Sequence, residues 1–217
     1  LSIIKVFNTH HHPDHFLGNQ AFKDVPIASL QGIVNAIDSQ GEAFNNNLYT
    51  LVGDWMKETE VYTPTEVITP GKLTIGGHEI EIIALNGHTD SDMVIYDHTT
   101  GVLFSGDLLF YNRTPAVPNA NIENWLMSIR QLQQIDFKYL VPGHGPVTED
   151  NRAIKQTRNY LSWLYDSLQQ ALNDGLDISE TFKLELPEQF QDLDILHEEY
   201  KRAVLQLYPS MEQAFFN

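Results

Sequence analysis

Residues 3–7 form a short β-branched and apolar run broken only by Lys5, and directly behind them stand His10, His12, Asp14 and His15, four side chains able to ligate a metal within six residues. The apolar run reads as a strand. Alternate side chains on an extended segment point the same way, so His10 and His12 can close on one ion. Pro13 breaks the strand, so the backbone has turned by Asp14 and His15, which can face a second position. Imidazole suits borderline ions such as zinc, and a carboxylate beside it suits a hard, hydrolytic ion. A purification tag is an uninterrupted histidine run, whereas Pro13 and Asp14 intervene here. Four ligands from one segment cannot surround two ions, so other parts of the chain have to supply more.

Charge and composition remove several classes of function. The formal net charge of −16 over 217 residues leaves no basic patch to meet phosphates, which argues against a nucleic-acid or anionic-membrane partner. An anionic substrate stays compatible, because bound metal ions invert the charge of a pocket locally. Cysteine is absent, which removes disulfides, thiolate nucleophiles and Cys-containing zinc sites together. No apolar run reaches transmembrane length, so the expected partner is a small-molecule substrate. The sequence opens at Leu1, already inside the strand that leads to the motif. A preceding segment is therefore expected, with any targeting signal on it, and periplasm and cytoplasm both fit. No pattern fixes the oligomeric state.

The length and apolar content are those of one domain, residues 1–217. Residues 16–22 read as a short helix and 25–28 as a strand. Helical spacing follows over 29–59 (Ile33, Ile37; Leu48, Leu51, Val52, Trp55), interrupted around 41–47. Such an insertion suits a lid or pocket wall, or simply two packed surface helices. Strands are expected at 66–68, 72–75, 80–85, 93–96, 102–104 and 137–141, punctuated by Pro70-Gly71 and Gly76-Gly77. Helices are expected at 122–135, 152–173 and 193–207, the last ending before Pro209, so that residues 150–217 form a helical C-terminal part. Asn119 or Asn121 is expected to cap the helix that begins near Ile122.

Three further sites share one grammar, a strand, a tight Gly-containing turn and then a ligand. They are Asn86-Gly87-His88-Thr89-Asp90, Ser105-Gly106-Asp107 and Pro142-Gly143-His144-Gly145-Pro146. Glycine permits the sharp turn and close backbone approach that place a side chain at a strand's end. One such turn is ordinary; three in succession after H-x-H-x-D-H are not.

With these residues in hand, the sequence resembles the metallo-β-lactamase-fold superfamily over about residues 3–148. The resemblance implies that His10, His12 and His88 hold a first metal, that Asp14, His15 and His144 hold a second, and that Asp107 bridges them. It implies two Zn²⁺ ions, with iron or manganese as alternatives. His11, His78, His98 and His197 match no ligand position and read as surface or supporting residues. The implied fold is α/β, a four-layer αβ/βα sandwich with the metals at one edge between two sheets. The family places several strands before the first motif, and these are missing from this sequence.

The implied chemistry is hydrolysis of an ester, thioester, lactone, lactam or related bond by a metal-bridging hydroxide, with Asp14 orienting the nucleophile and taking up its proton. Asp107 stands where the commonest true β-lactamases carry cysteine, and Phe110 where they carry the lysine that grips the drug's carboxylate. The bridging Asp107 looks more like glyoxalase II, quorum-sensing lactonases and ribonuclease Z, and the acidic chain speaks against the ribonuclease. The lactonase's tyrosine is Phe110 here, with Tyr111 adjacent. The wording around both motifs looks most like the zinc metallohydrolases associated with sulfur-oxidation and quinoprotein systems. Tyr111, Asn112 and Arg113 follow the bridging residue closely enough to reach a substrate, and Arg113 suits an anionic group. The competing class is redox: persulfide dioxygenases use one iron at the first site, and flavodiiron proteins use two. A full second site argues against the former, and the want of room for a flavin domain against the latter.

Overall fold

The computed structural model describes residues 2–216. Its helices are α1 (Pro13–Phe16), α2 (Gln31–Val52), α3 (Ile122–Leu132), α4 (Arg152–Asn173), α5 (Ile178–Thr181) and α6 (Leu196–Phe215). Two sheets accompany them. The first is parallel, with β1 (Val6–Phe7), β2 (Ile27–Ser29) and β3 (Glu66–Val67) in that order. The second runs β4 (Gly71–Ile75), β5 (His78–Leu85), β6 (Asp92–Asp97), β7 (Val102–Phe110) and β8 (Tyr139–His144). Neighbours in it are antiparallel until β8, which lies parallel to β7 after a crossover through α3.

β6 shows why the layers stack as they do. Successive side chains of a strand point to opposite faces, so Met93 and Ile95 enter one apolar cluster and Val94 the other. The smaller cluster joins Ile82, Met93 and Ile95 to Phe16 of α1 and to Ile33 and Ile37 of α2, with Phe7 of β1 packed against it. The larger runs from Val94, Leu103 and Leu108 through Trp125 and Ile129 of α3 and Tyr160, Leu161 and Leu164 of α4 to Tyr200 and Val204 of α6. Each such buried side chain contributes about 1.5–3 kcal/mol. The second sheet is thereby covered on both faces, an α/β sandwich as expected.

Several boundaries differ from the sequence reading. Only Val6–Phe7 pair as β1, and Ile3 and Ile4 are exposed. α2 is one continuous helix through residues 41–47. Gly41 does not interrupt it but lets it approach Phe16 and Val61, while Asn45 donates to the Thr59 carbonyl and Asn46 and Asn47 are exposed. β7 runs on to Phe110 and β8 through Pro142 to His144, so the residues read as turns lie within strands. Pro142 is tolerated because β8 is an edge strand. α6 passes through Pro209 to Phe215, since proline there removes one N–H on an exposed face whose freed carbonyl water can satisfy. Among the described residues, no helix is long and apolar enough to cross a membrane.

Candidate metal centre

The loop leaving β1 is fixed before any ligand is considered. Asn8 is buried, donates to the His15 carbonyl at 2.8 Å, and exchanges reciprocal amide hydrogen bonds with Asn19 at 2.9 and 2.8 Å. Ser29 Oγ donates to the Asn8 carbonyl, and Met93 N–H to the Thr9 carbonyl, which ties the loop to both sheets. The His15 N–H donates to the His12 carbonyl and so starts α1, with Pro13 in its first turn.

This frame brings the seven predicted residues together in two groups whose ligand-capable atoms lie within 4.8 Å of one another. The first is His10, His12, His88 and Asp107, and the second is Asp14, His15 and His144. In the first, His88 Nε2 lies 2.9 Å from His12 Nδ1 and 3.4 Å from Asp107 Oδ2, and His10 Nε2 lies 3.8 Å from Asp107 Oδ2. In the second, Asp14 Oδ2 is 3.4 Å from His15 Nε2 and 3.2 Å from His144 Nε2. Asp107 reaches into both, 3.2 Å from His15 Nε2 and 3.4 Å from His144 Nε2. Its carboxylate is therefore the junction between the groups.

The donor set fits metal ions. His10 Nε2, His15 Nε2 and Asp107 Oδ1 are buried without a hydrogen-bond partner, even though the last two stand 3.2 Å apart. Buried polar atoms left unpaired are costly, and a cation among them removes that cost. His12 Nε2 lies 2.9 Å from Asn119 Oδ1. With that oxygen as acceptor, the ring proton sits on Nε2 and the Nδ1 lone pair is left facing His88. His10 Nδ1 is held by Thr9 Oγ1 at 3.1 Å. Such outer partners fix the orientation and tautomer of a metal-ligating imidazole.

Electrostatics separate the groups. Burial holds His10, His12 and His88 below the ordinary imidazole range, His88 at about 3, so all three are neutral near pH 7, the form that ligates metals. Burial alone lowers His15, but the Asp107 and Asp14 carboxylates outweigh it and raise it to about 10. The same two carboxylates raise His144 to about 9. Burial opposes ionisation of Asp107 and Asp14, yet the surrounding imidazoles, His144 first, hold both below the usual carboxylate range. Asp14, 54% exposed, is the acid at the mouth of the cluster.

Several further residues support the cluster. Gly143 is required by contact: a Cβ there would lie 1.9 Å from Asp107 Oδ1. Phe110 stacks on His144 at 5.2 Å and 19°, and Trp125 packs against His88 while its Nε1–H donates to the Leu108 carbonyl. Asn121 caps α3 as expected, whereas Asn119 bonds His12 instead. An exposed asparagine two positions before a cap looks like any loop residue, so only the fold reveals this contact.

The remaining candidates lie around the cluster. Tyr111 N–H donates to the His144 carbonyl, and its ring faces Arg152 at 5.8 Å. Asn112 N–H donates to Gln156 Oε1, and the main chain of Arg113 forms an isolated parallel β-bridge with that of Asp194 while its side-chain Nε is buried and unpartnered. His11 is buried beside His12, and burial together with His12 pulls it to about 4 against the opposing effect of Asp90. His78 and His98 pair with Asp97 and Glu81, and His197 is exposed on α6.

The chain is similar to known proteins over much of its length. Acyl-coenzyme A thioesterase MBLAC2 of Gallus gallus is 23% identical over 177 residues, covering 71% of this chain and 61% of that protein. A hydroxyacylglutathione hydrolase of Thermosynechococcus vestitus is 27% identical over 131 residues, covering 60% and 44%. The chain thus spans about half the length of the curated relatives it matches. Among solved structures, a metallo-beta-lactamase from Pontibacter korlensis superposes with a TM-score of 0.58 at 25% identity, covering 73% of this chain and 69% of that one. The metallo-beta-lactamase IND-7 shares the fold, with a TM-score of 0.59 at 23% identity over 75% and 69%. A profile described as the metallo-beta-lactamase superfamily matches residues 1–144. That match runs from the first strand to His144 and takes in all seven converging residues, and the chain belongs to the metallo-beta-lactamase superfamily.

Proposed function

We propose that the protein is a dinuclear metal-dependent hydrolase of a small-molecule ester, thioester, lactone or lactam. His10, His12 and His88 would hold one ion, Asp14, His15 and His144 the other, and Asp107 both. The observation that carries this reading is the Asp107 carboxylate, which is buried within 3.2–3.8 Å of four imidazole nitrogens drawn from both groups. Two Zn²⁺ ions in these positions would supply Lewis acidity and a water whose pKa falls towards about 7.

The chain's own residues set the rest. Thr9 and Asn119 orient the first-group imidazoles, and Phe110 and Trp125 form the apolar wall behind His144 and His88. Asp14 is the carboxylate of the cluster open to solvent, so its Oδ atoms are placed to accept the nucleophile's proton and return it to the leaving group. We extend the proposal to Tyr111, Asn112 and Arg113 as substrate-binding residues, since they follow Asp107 closely in the chain and the Tyr111 N–H donates to the His144 carbonyl. Residues 1–217 are taken as one unit, because the larger apolar cluster runs without a break from β6 to α6.

The similarity to proteins named thioesterase and hydroxyacylglutathione hydrolase makes thioesters the first class to assay. Zinc-loaded protein is expected to turn over at least one member of a thioester, ester, lactone and lactam panel. His12→Ala and Asp107→Ala are each expected to lower kcat/KM by about 10³-fold or more. Full activity in both variants, or oxygen consumption with a persulfide in place of hydrolysis, overturns the proposal.

A further inference from the structure

An apolar stripe leaves the neighbourhood of the metal centre along α2. It starts at Phe44, whose ring lies 5.9 Å from that of His11 and 6.1 Å from that of His12. Leu48, Leu51 and Val52 follow at the i+4, i+7 and i+8 positions of the same helix face. Phe44 and Leu48 pack against the smaller apolar cluster. Beyond them the stripe runs out of core: Leu51 is 77% exposed and Val52 48%, with Tyr49 beside them at 51%. Gly53, at φ +60°, then ends the helix, and a short 3₁₀ turn over Gly53–Met56 carries Trp55, 91% exposed. The chain returns alongside α2, where the Asn45 amide donates to the Thr59 carbonyl at 3.0 Å. Residues 49–55 therefore form the tip of a projection, roughly 10 Å along the helix from Phe44.

Three features define the partner that such a tip fits. The first is charge. Asp54 is the one charged side chain between Ala43 and Met56, in a chain whose net charge is −16. A chain so acidic is repelled by anionic surfaces and by copies of itself, so a nearly uncharged tip matches a neutral surface. The second is area. Four side chains at these exposures offer on the order of 500 Å², a size at which a patch on a monomer is often functional. That falls short of the ~800 Å² per partner buried in a stable protein interface. A fluid surface needs no matching area, because it closes around whatever is inserted. The third is residue type. Tryptophan and tyrosine, each an apolar ring with a polar edge, concentrate where hydrocarbon meets headgroups. The exposed carboxamides of Asn46 and Asn47 lie about one turn behind Leu51, where headgroups can hydrogen-bond to them.

We propose that the tip of α2 seats in a zwitterionic lipid surface, with Leu51 and Trp55 inserted to the headgroup boundary and the helix entering from one side only. No residue of this contact belongs to the metal centre, so the docking needs no bound ion.

Phosphatidylcholine vesicles and the full chain test this. Sedimentation with millimolar lipid is expected to carry the wild-type protein down, and its tryptophan emission should shift to the blue. Trp55→Phe should keep binding to within about threefold and lose most of the shift, since Trp125 is buried and Trp163 packs against Tyr160 and Phe190. Leu51→Ser combined with Trp55→Ser is expected to lower the partition coefficient by at least about tenfold. Its melt should match wild type, because both side chains are exposed. Exchanging about a third of the lipid for phosphatidylglycerol should weaken wild-type binding at low salt.

Wild type left in the supernatant at millimolar phosphatidylcholine, equal binding by the double variant, or tighter binding to the anionic vesicles overturns the proposal. So does a concentration-dependent dimer in sedimentation equilibrium that the double variant abolishes, which would assign the tip to a second copy of the chain.

Discussion

Replacing Gly143 with alanine probes the junction carboxylate without touching a ligand. A Cβ at this position would lie 1.9 Å from Asp107 Oδ1, 2.7 Å from Gly106 C and 2.8 Å from Asp107 N, whereas real Cβ atoms essentially never come within 3.0 Å of such neighbours. The carboxylate has to retreat by about 1.1 Å, the difference between 3.0 and 1.9 Å. The two main-chain atoms belong to β7, which is paired with β8, and cannot yield freely. Ligand distances in a metal site hold to about ±0.2 Å, so a retreat of this size takes Asp107 away from both groups at once. Disturbing a partner outside the ligand set already costs about 10–100-fold in affinity. Displacing the shared ligand is expected to cost at least about 100-fold, or about 2.7 kcal/mol. Overpacking the metal-free protein costs about 1–3 kcal/mol, a fall in Tm of roughly 2–12 °C for a chain of this size. Zinc competition against a chromophoric chelator, with melts of the metal-free forms, reads both effects. A Gly143→Ala protein that binds zinc as tightly as wild type would show that displacing Asp107 does not weaken the site, and its role as the shared ligand would be wrong.

Asn119→Ala removes the acceptor that fixes the His12 tautomer and is expected to weaken zinc binding by about tenfold with little change in the metal-free melt; a zinc affinity equal to wild type contradicts that role. Burial opposes ionisation of Asp97, but the Thr100 hydroxyl, His78 and the Thr99 and Thr100 amides outweigh it and leave the carboxyl at about 2. A depressed folded pKa contributes stability that is present above the unfolded value of 3.8 and lost as pH falls towards 2. Denaturant titrations of metal-free protein through that window should show a loss of about 1–2 kcal/mol that Asp97→Asn lacks. Stripping metal with a chelator is expected to lower Tm and abolish turnover, and restoring zinc to 100 times its Kd should return about 2.7 kcal/mol of stability. An unchanged melt would mean that the orphaned donors bind nothing.

The seven residues singled out in the sequence converge because the second sheet meets the loop leaving β1, where the Met93 N–H donates to the Thr9 carbonyl, and not because they are near in the chain. That convergence was legible from residue type and spacing, since histidine and aspartate beside glycine have few other reasons to recur at strand ends. Gly106 and Gly143 lie within strands rather than at turns, and they serve the two purposes read for glycine separately: Gly106 takes a left-handed φ of 52° where the β7–β8 register shifts, and Gly143 makes room for the Asp107 carboxylate. Gly41 misled in the same way: it reads as a helix breaker, yet Phe16 and Val61 occupy the space a side chain would need. Asn119 and His11 were illegible for a different reason. Their contacts join segments 107 and 79 residues apart or more, from His12 to Asn119 and from His11 to Asp90, and no local pattern encodes such a pairing. Just past α2, Trp55 is 91% exposed, so the apolar spacing read over residues 29–59 runs on beyond the helix into residues that cover nothing.

The central claim is that seven side chains hold two ions through one shared carboxylate. Its most direct measurement is metal content by elemental analysis, on protein prepared without chelator or metal-affinity chromatography, for wild type and Asp107→Asn. The account predicts about two zinc per chain in wild type and a loss from both groups in the variant, since Asp107 reaches into each. One ion in wild type, or two retained with unchanged affinity in Asp107→Asn, would contradict it.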